Sequence, residues 1–132
     1  MEARIQAILL AVEDLAQATT FYEALGFKKD RGGAESAIYS LGETQLVLAT
    51  GSLLTGVTGQ DLGTPGVQHR TMLAQMVRSQ EAVDQIVAEA EKAGATIVKA
   101  TGSNDWGGYN GVFADPDGHV WNVSFNLLFY RA

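Results

Sequence analysis

Cysteine is absent from the 132 residues, which excludes disulfides, thiolate-bound metals and cysteine nucleophiles from the outset. Histidine is scarce, with His69 and His119 the only two. Lysine and arginine number nine against fifteen acidic residues, for a formal net charge of −6. The few cations are scattered, whereas a nucleic-acid surface needs them clustered to neutralise phosphates, so no nucleic-acid partner is expected. Long apolar runs are also missing: Ile5 to Val12 falls well short of the roughly 20 residues of a membrane helix. The preceding Met1-Glu2-Ala3-Arg4 lacks a signal-peptide pattern. No membrane partner and a cytoplasmic location are expected. The glycine clusters lack the Lys-Ser/Thr of a phosphate loop, and no Ser-His-Asp set is visible.

What is present is a chain with 46% hydrophobic residues, enough for one real core and too short for two independent domains, so residues 1–132 read as a single α+β domain. The apolar run Ile5 to Val12 stops at Glu13-Asp14, after which Leu15, Ala18, Phe21 or Tyr22 and Leu25 recur at helical spacing. Asp14 suits an N-cap, Gln17 three residues on completes a capping box, and Gly26 supplies a left-handed stop, which predicts a helix over 15–25. Three strand-like pieces follow at Phe27 to Arg31, Ser36 to Leu41 and Thr44 to Thr50, separated by glycine turns. The order is β-α-β-β-β.

The order then repeats. Thr71 to Arg78 is strand-like, Ser79 can cap, Val83, Ile86, Val87 and Ala90 share a helical face, and Gly94 ends it. Strands are predicted at Thr96 to Ala100, Tyr109 to Ala114 and His119 to Phe125, with Asp115-Pro116-Asp117-Gly118 turning between the last two. Module 1 thus covers about 3–50 and module 2 about 71–128. Between them, residues 51–70 hold five glycines and one proline. Ser52-Leu53-Leu54 is a candidate helix start there, and the segment as a whole reads as a solvated crossover in preference to a substrate lid.

Two segments carry a likeness to a known family: Val12-Glu13-Asp14-Leu15 with Phe21 to Phe27, and Trp106 to Trp121 including the Asp-Pro-Asp-Gly turn. With the duplicated module order, the chain resembles the vicinal oxygen chelate superfamily of glyoxalases, bleomycin-resistance proteins and extradiol dioxygenases. The resemblance covers nearly the whole chain. It implies two βαβββ modules with curved mixed sheets enclosing a cavity, usually in a homodimer. It also implies one divalent cation held by His, Glu or Gln from the first and last strands of each module.

Carried onto this sequence, those ligand positions fall on Ala7, on Val47 or Ala49, on Met72 and on Asn122. Alanine and valine have no donor atom, a thioether is a poor ligand for Fe, Mn, Mg or Zn, and an amide is a weak one. No metal and no other cofactor are therefore expected. Gln6, Gln45 and Gln75 replace none of them, because a one-residue slip turns each to the other sheet face. His119 alternates away from Asn122 and reads as a turn residue, and Trp121 reads as core.

Alternation places Leu9 with Ala7, Ala74 and Met76 with Met72, and Val120 and Ser124 with Asn122, a lining of small and flexible groups. Trp106 and Tyr109, at the mouth of the last hairpin, offer flat faces for a planar or cationic ligand. The expected function is metal-free binding of a small molecule, in the manner of bleomycin-resistance proteins, possible ligands including an antibiotic. One alternative is a lyase, isomerase or dioxygenase of the same superfamily with a displaced metal or an acid-base site drawn from Asp105, Tyr109 or His119. Another is a non-catalytic interaction module. The apolar tail Leu127-Leu128-Phe129-Tyr130 is the local hint of a contact surface for a dimer.

Overall fold

The computed structural model describes residues 1–59, 71–104 and 107–126. Two compact units emerge, Met1–Val67 and Gln68–Ala132, and each builds one open four-stranded mixed sheet.

In the first unit, β1 (Ala7–Val12) leads into α1 (Leu15–Ala24), β2 (Lys29–Gly32), β3 (Ser36–Leu41) and β4 (Thr44–Thr50). The sheet order is β1-β4-β3-β2, with β1 parallel to β4 and the other pairs antiparallel. The Asp14 carboxylate accepts the Gln17 amide at 3.0 Å, and Gly26 leaves α1 at φ +99°, a conformation a side chain would strain. Ala18, Phe21 and Tyr22 of α1 are buried over Tyr39, Leu46 and Leu48. Edge-to-face contacts run from Phe21 to Tyr22, then to Phe27 and on to Tyr39, at centroid distances of 5.0, 5.3 and 6.2 Å. At the sheet edge, Lys29, Asp30 and Arg31 of β2 are all exposed, a charged strand that discourages edge-to-edge pairing.

The helical start of the crossover belongs to this unit. Thr50 ends β4 and caps α2 (Gly51–Thr58), its hydroxyl accepting the Leu53 amide at 3.3 Å. Leu54 is buried on Val47 and Ala49, with Ala7, Ala11, Ile38 and Leu53 packed around them. The helix start expected at Ser52-Leu53-Leu54 is present, and most of residues 51–58 are exposed, Leu54 being the buried exception. Gly51 and Gly56 lower helix propensity locally, but burying one leucine returns about 1.5–3 kcal/mol, enough to override it. It also explains why β4 is buried at four successive positions, Leu46 to Ala49: helices cover both of its faces.

The second unit repeats the plan with β5 (Leu73–Met76), α3 (Gln80–Ala93), β6 (Thr96–Ser103), β7 (Tyr109–Ala114) and β8 (Val120–Phe125), in the order β5-β8-β7-β6. Ser79 accepts the Ala82 amide at 3.0 Å and Gly94 closes α3 at φ +115°. Val83, Val87 and Ala90 are buried against β7 and β8. Glycine at 111 permits this approach, since a Cβ there would lie 2.7 Å from Thr101 Cγ2 and 2.9 Å from Val87 Cγ2. Asp115 ties the β7–β8 turn together, its Oδ1 accepting the amides of Asp117 and His119 at 2.9 Å each.

Strand ends differ from expectation where side chains leave the core. Ile5 is 66% exposed and precedes β1, β5 is confined to four residues, and β8 begins after His119, whose amide closes the turn. β6 runs on to Ser103 because its outer half pairs with Asn110 and Tyr109 beyond a register shift.

Candidate functional site

α3 covers one face of the second sheet: Gly111 lies against Val87, and Phe113 and Val123 are buried. Strand alternation puts the even-numbered residues of β7 and β8 on the opposite face. Register brings Ala74 and Val112 level with Asn122, and Met76 and Asn110 level with Ser124. Met76 is 46% exposed and Ala74 is exposed, while Asn122 is half-buried and Ser124 buried. The face is apolar along its β5 edge and polar at Asn122, Ser124 and Asn110 on the inner strands.

Its polar centre is a row of amides. Asn110 Nδ2 donates to Asn122 Oδ1 at 2.9 Å, Asn104 Nδ2 donates to Asn110 Oδ1 at 3.1 Å, and the Gly108 backbone N–H donates to Asn104 Oδ1 at 3.1 Å. Position 108 requires glycine for a separate reason, since a Cβ there would meet Phe125 O at 2.9 Å. Lys99, level with Val112, places its ammonium on the carbonyl oxygens of Asn110 and Ala100 at 3.2 and 3.3 Å.

Of the residues expected on a binding face, Ala74, Met76, Asn122 and Ser124 come together on this sheet, with Val120 beside them at the start of β8. Met72 precedes β5 and is 55% exposed. In the first unit Ala7, Val47 and Ala49 share one face, beneath Leu54 of α2, and Leu9, level with Val47, is 47% exposed. Tyr109 is not brought to the Asn122 face. It stands level with Phe125 on the α3 side, and its hydroxyl donates to Asp84 Oδ1 at 2.6 Å, a bond that raises its pKa. Odd-numbered Tyr109 and even-numbered Asn122 cannot share a face across an unshifted ladder. Trp121 stacks on Phe113 at 6.3 Å on that same helix-facing side. Trp106, Asp105, His69 and the 127–130 tail lie outside the described residues.

Sequence reasoning missed Asn104 and Asn110. Counting outward from the Asp-Pro-Asp-Gly turn pairs residue 112 with 122 and 110 with 124, which sets Asn110 diagonally beside Asn122.

Register also decides between Val47 and Ala49. Ala74, five residues before the Ser79 cap, faces Asn122, and Leu9, five before the Asp14 cap, faces Val47. Val47 is therefore the counterpart of Asn122. At the four positions where the superfamily's metal ligands would fall, this chain has Ala7, Val47, Met72 and Asn122, and the Asn122 oxygen already accepts from Asn110. Those groups do not fit a divalent cation. No group of three or more His, Asp or Glu suited to a metal ion occurs among the described residues.

An open cleft of about 480 Å³ lies where α2 begins, lined by Glu13, Glu35, Thr50 and Ser52 among others. Two of its polar groups serve the fold: Thr50 Oγ1 caps α2 and donates to Glu35 Oε1 at 3.3 Å.

Comparison with known proteins agrees with this architecture. The family model described as Glyoxalase/Bleomycin resistance protein/Dioxygenase superfamily matches residues 4–123. Hypothetical protein SA1046 from S. aureus is 30% identical, with a TM-score of 0.81 over 96% of this chain and 95% of its own. A glyoxalase-related enzyme from Fulvimarina pelagi is 27% identical, with a TM-score of 0.86 over 95% and 89%. A lactoylglutathione lyase from Agrobacterium tumefaciens, 18% identical with a TM-score of 0.72 over 98% of both chains, shares the fold. No curated protein matches the chain.

Proposed function

The chain belongs to the Glyoxalase/Bleomycin resistance protein/Dioxygenase superfamily, and from that premise we propose that it binds a small organic molecule on the Asn122 face of its second sheet without a divalent metal. The ligand class is a planar molecule, an antibiotic included, held by sequestration in the manner of bleomycin-resistance proteins. One observation carries the reading: the donor chemistry at the four ligand positions, where alanine, valine, methionine and an engaged asparagine replace histidine and carboxylate. Polarisation of two substrate oxygens by a cation has no support from such a set. Apolar Ala74, Met76 and Val112 beside a few polar groups are instead the usual make-up of a small-molecule site.

The likeness to the Fulvimarina glyoxalase-related enzyme favours a second reading, a superfamily lyase, isomerase or dioxygenase with a displaced metal or an acid-base site. That reading needs a carboxylate or imidazole on the ligand face, and the even-numbered positions of β7 and β8 carry Asn110, Val112, Ala114, Val120, Asn122 and Ser124.

Thermal melts of EDTA-treated protein test the metal-free reading. A ligand at a hundred times its Kd adds about 2.7 kcal/mol, a shift of several degrees. Mn(II), Fe(II), Ni(II) and Zn(II) should each leave Tm unchanged, while a planar antibiotic raises it in EDTA. A rise with one of these metals, together with one equivalent retained on purification, contradicts the proposal.

A further inference from the structure

The row of amides has a direction, and the direction is set at one end by a group that can only donate. A backbone N–H has no acceptor capacity, so the Asn104 atom that meets the Gly108 amide must be its oxygen. That leaves the Asn104 NH₂ to meet Asn110, which must accept with its own oxygen. The Asn110 NH₂ in turn meets Asn122, which accepts with Oδ1. Each amide orientation is thus dictated by the one before it, where an isolated asparagine could present either end. The last member turns its NH₂ outward, and among the described residues no acceptor reaches it. A second donor group stands nearby, the Lys99 ammonium on the Asn110 carbonyl.

We infer that the Asn122 NH₂ is the polar anchor of the ligand site and takes an acceptor oxygen, that of a ketone, amide or carboxylate on a planar ligand. This inference rests on the binding function proposed above and narrows it: a cationic ligand that brings only N–H donors is rejected at this point, because donor would face donor. Asn122 acts here as a specificity-determining residue. One N–H of its planar NH₂ points to the ligand oxygen, and the preceding amides hold it in that orientation.

The test uses three probes of one size, benzoate, acetophenone and benzamidinium, titrated into ¹⁵N-labelled full-length protein in EDTA. Benzoate and acetophenone are expected to shift the Asn122 side-chain NH₂ resonances saturably, and benzamidinium is not. Asn122→Asp keeps an oxygen to accept from Asn110 but presents an acceptor outward. It is expected to weaken benzoate and acetophenone about tenfold or more and to gain benzamidinium. The NH₂ shifts of the unsubstituted protein stand as an independent readout should the variant fold poorly. Two results overturn the inference: no response of the Asn122 NH₂ to either oxygen-bearing probe, or oxygen-probe affinities unchanged in Asn122→Asp. Binding of benzoate that appears only after Mn(II) or Zn(II) is added overturns the metal-free function itself, a separate outcome visible in the same titration.

Discussion

Asn122 owes its outward NH₂ to a glycine fourteen positions earlier in the chain, which shows how far a single backbone donor can set the chemistry of a surface. Tyr39 shows the opposite case, a polar group kept inside. Fully buried, it donates to Glu23 Oε2 at 3.3 Å, and burial first, then the neighbouring carboxylate, push its pKa well above 10. In the unfolded chain the phenol ionises near 10, so above that pH the unfolded state sheds a proton that the folded state retains. The Tyr39 contribution to stability is therefore present below about pH 10 and is lost as pH rises beyond it. Chemical denaturation of Tyr39→Phe should show a shallower alkaline decline between about pH 10 and 11.5 than the unsubstituted protein; parallel declines would assign the loss elsewhere. At this scale the family resemblance pointed to Asn122, the position onto which it carries a last-strand ligand. It hid Asn104 and Asn110, whose role depends on hairpin register and on the direction of hydrogen bonds. Tyr109 was misplaced for the related reason that nearness to a hairpin mouth does not determine a face.

The helices α1 and α3 were legible because caps and periodicity agree: Asp14 and Gly26 bound one, Ser79 and Gly94 the other, and each cap forms the bond its side chain predicts. The inner strands β3, β4 and β7 begin and end where the apolar pattern does. α2 was legible only at its start, since two glycines weaken its local signal and its stability comes from Leu54 packing on Val47 and Ala49. That dependence is measurable. Leu54→Ala should cost about 2–5 kcal/mol in urea denaturation, whereas Val57→Ala on the exposed side of the same helix, 73% exposed, should change stability by about 0.5 kcal/mol or less. Equal effects of the two would contradict the burial of Leu54 as the force that holds α2.

Across the whole molecule, the duplication was the most readable feature, because the same order of caps, glycine stops and apolar runs occurs twice and both sheets adopt the same strand order. The copies have diverged in what they do with the corresponding face. In the first unit α2 covers Val47 and Ala49, and in the second the counterparts Asn122 and Ser124 carry the polar centre of the proposed site. The positions onto which the resemblance carries metal ligands hold Ala7, Val47, Met72 and Asn122, and a shared fold leaves the chemistry to the site. The most direct test of the metal-free account is a Mn(II) titration followed by ¹H–¹⁵N correlation spectra, since a bound paramagnetic ion broadens nearby amides selectively. The account predicts no selective, saturable broadening around Ala7, Val47, Met72 and Asn122; broadening confined to those amides and complete at one equivalent would contradict it.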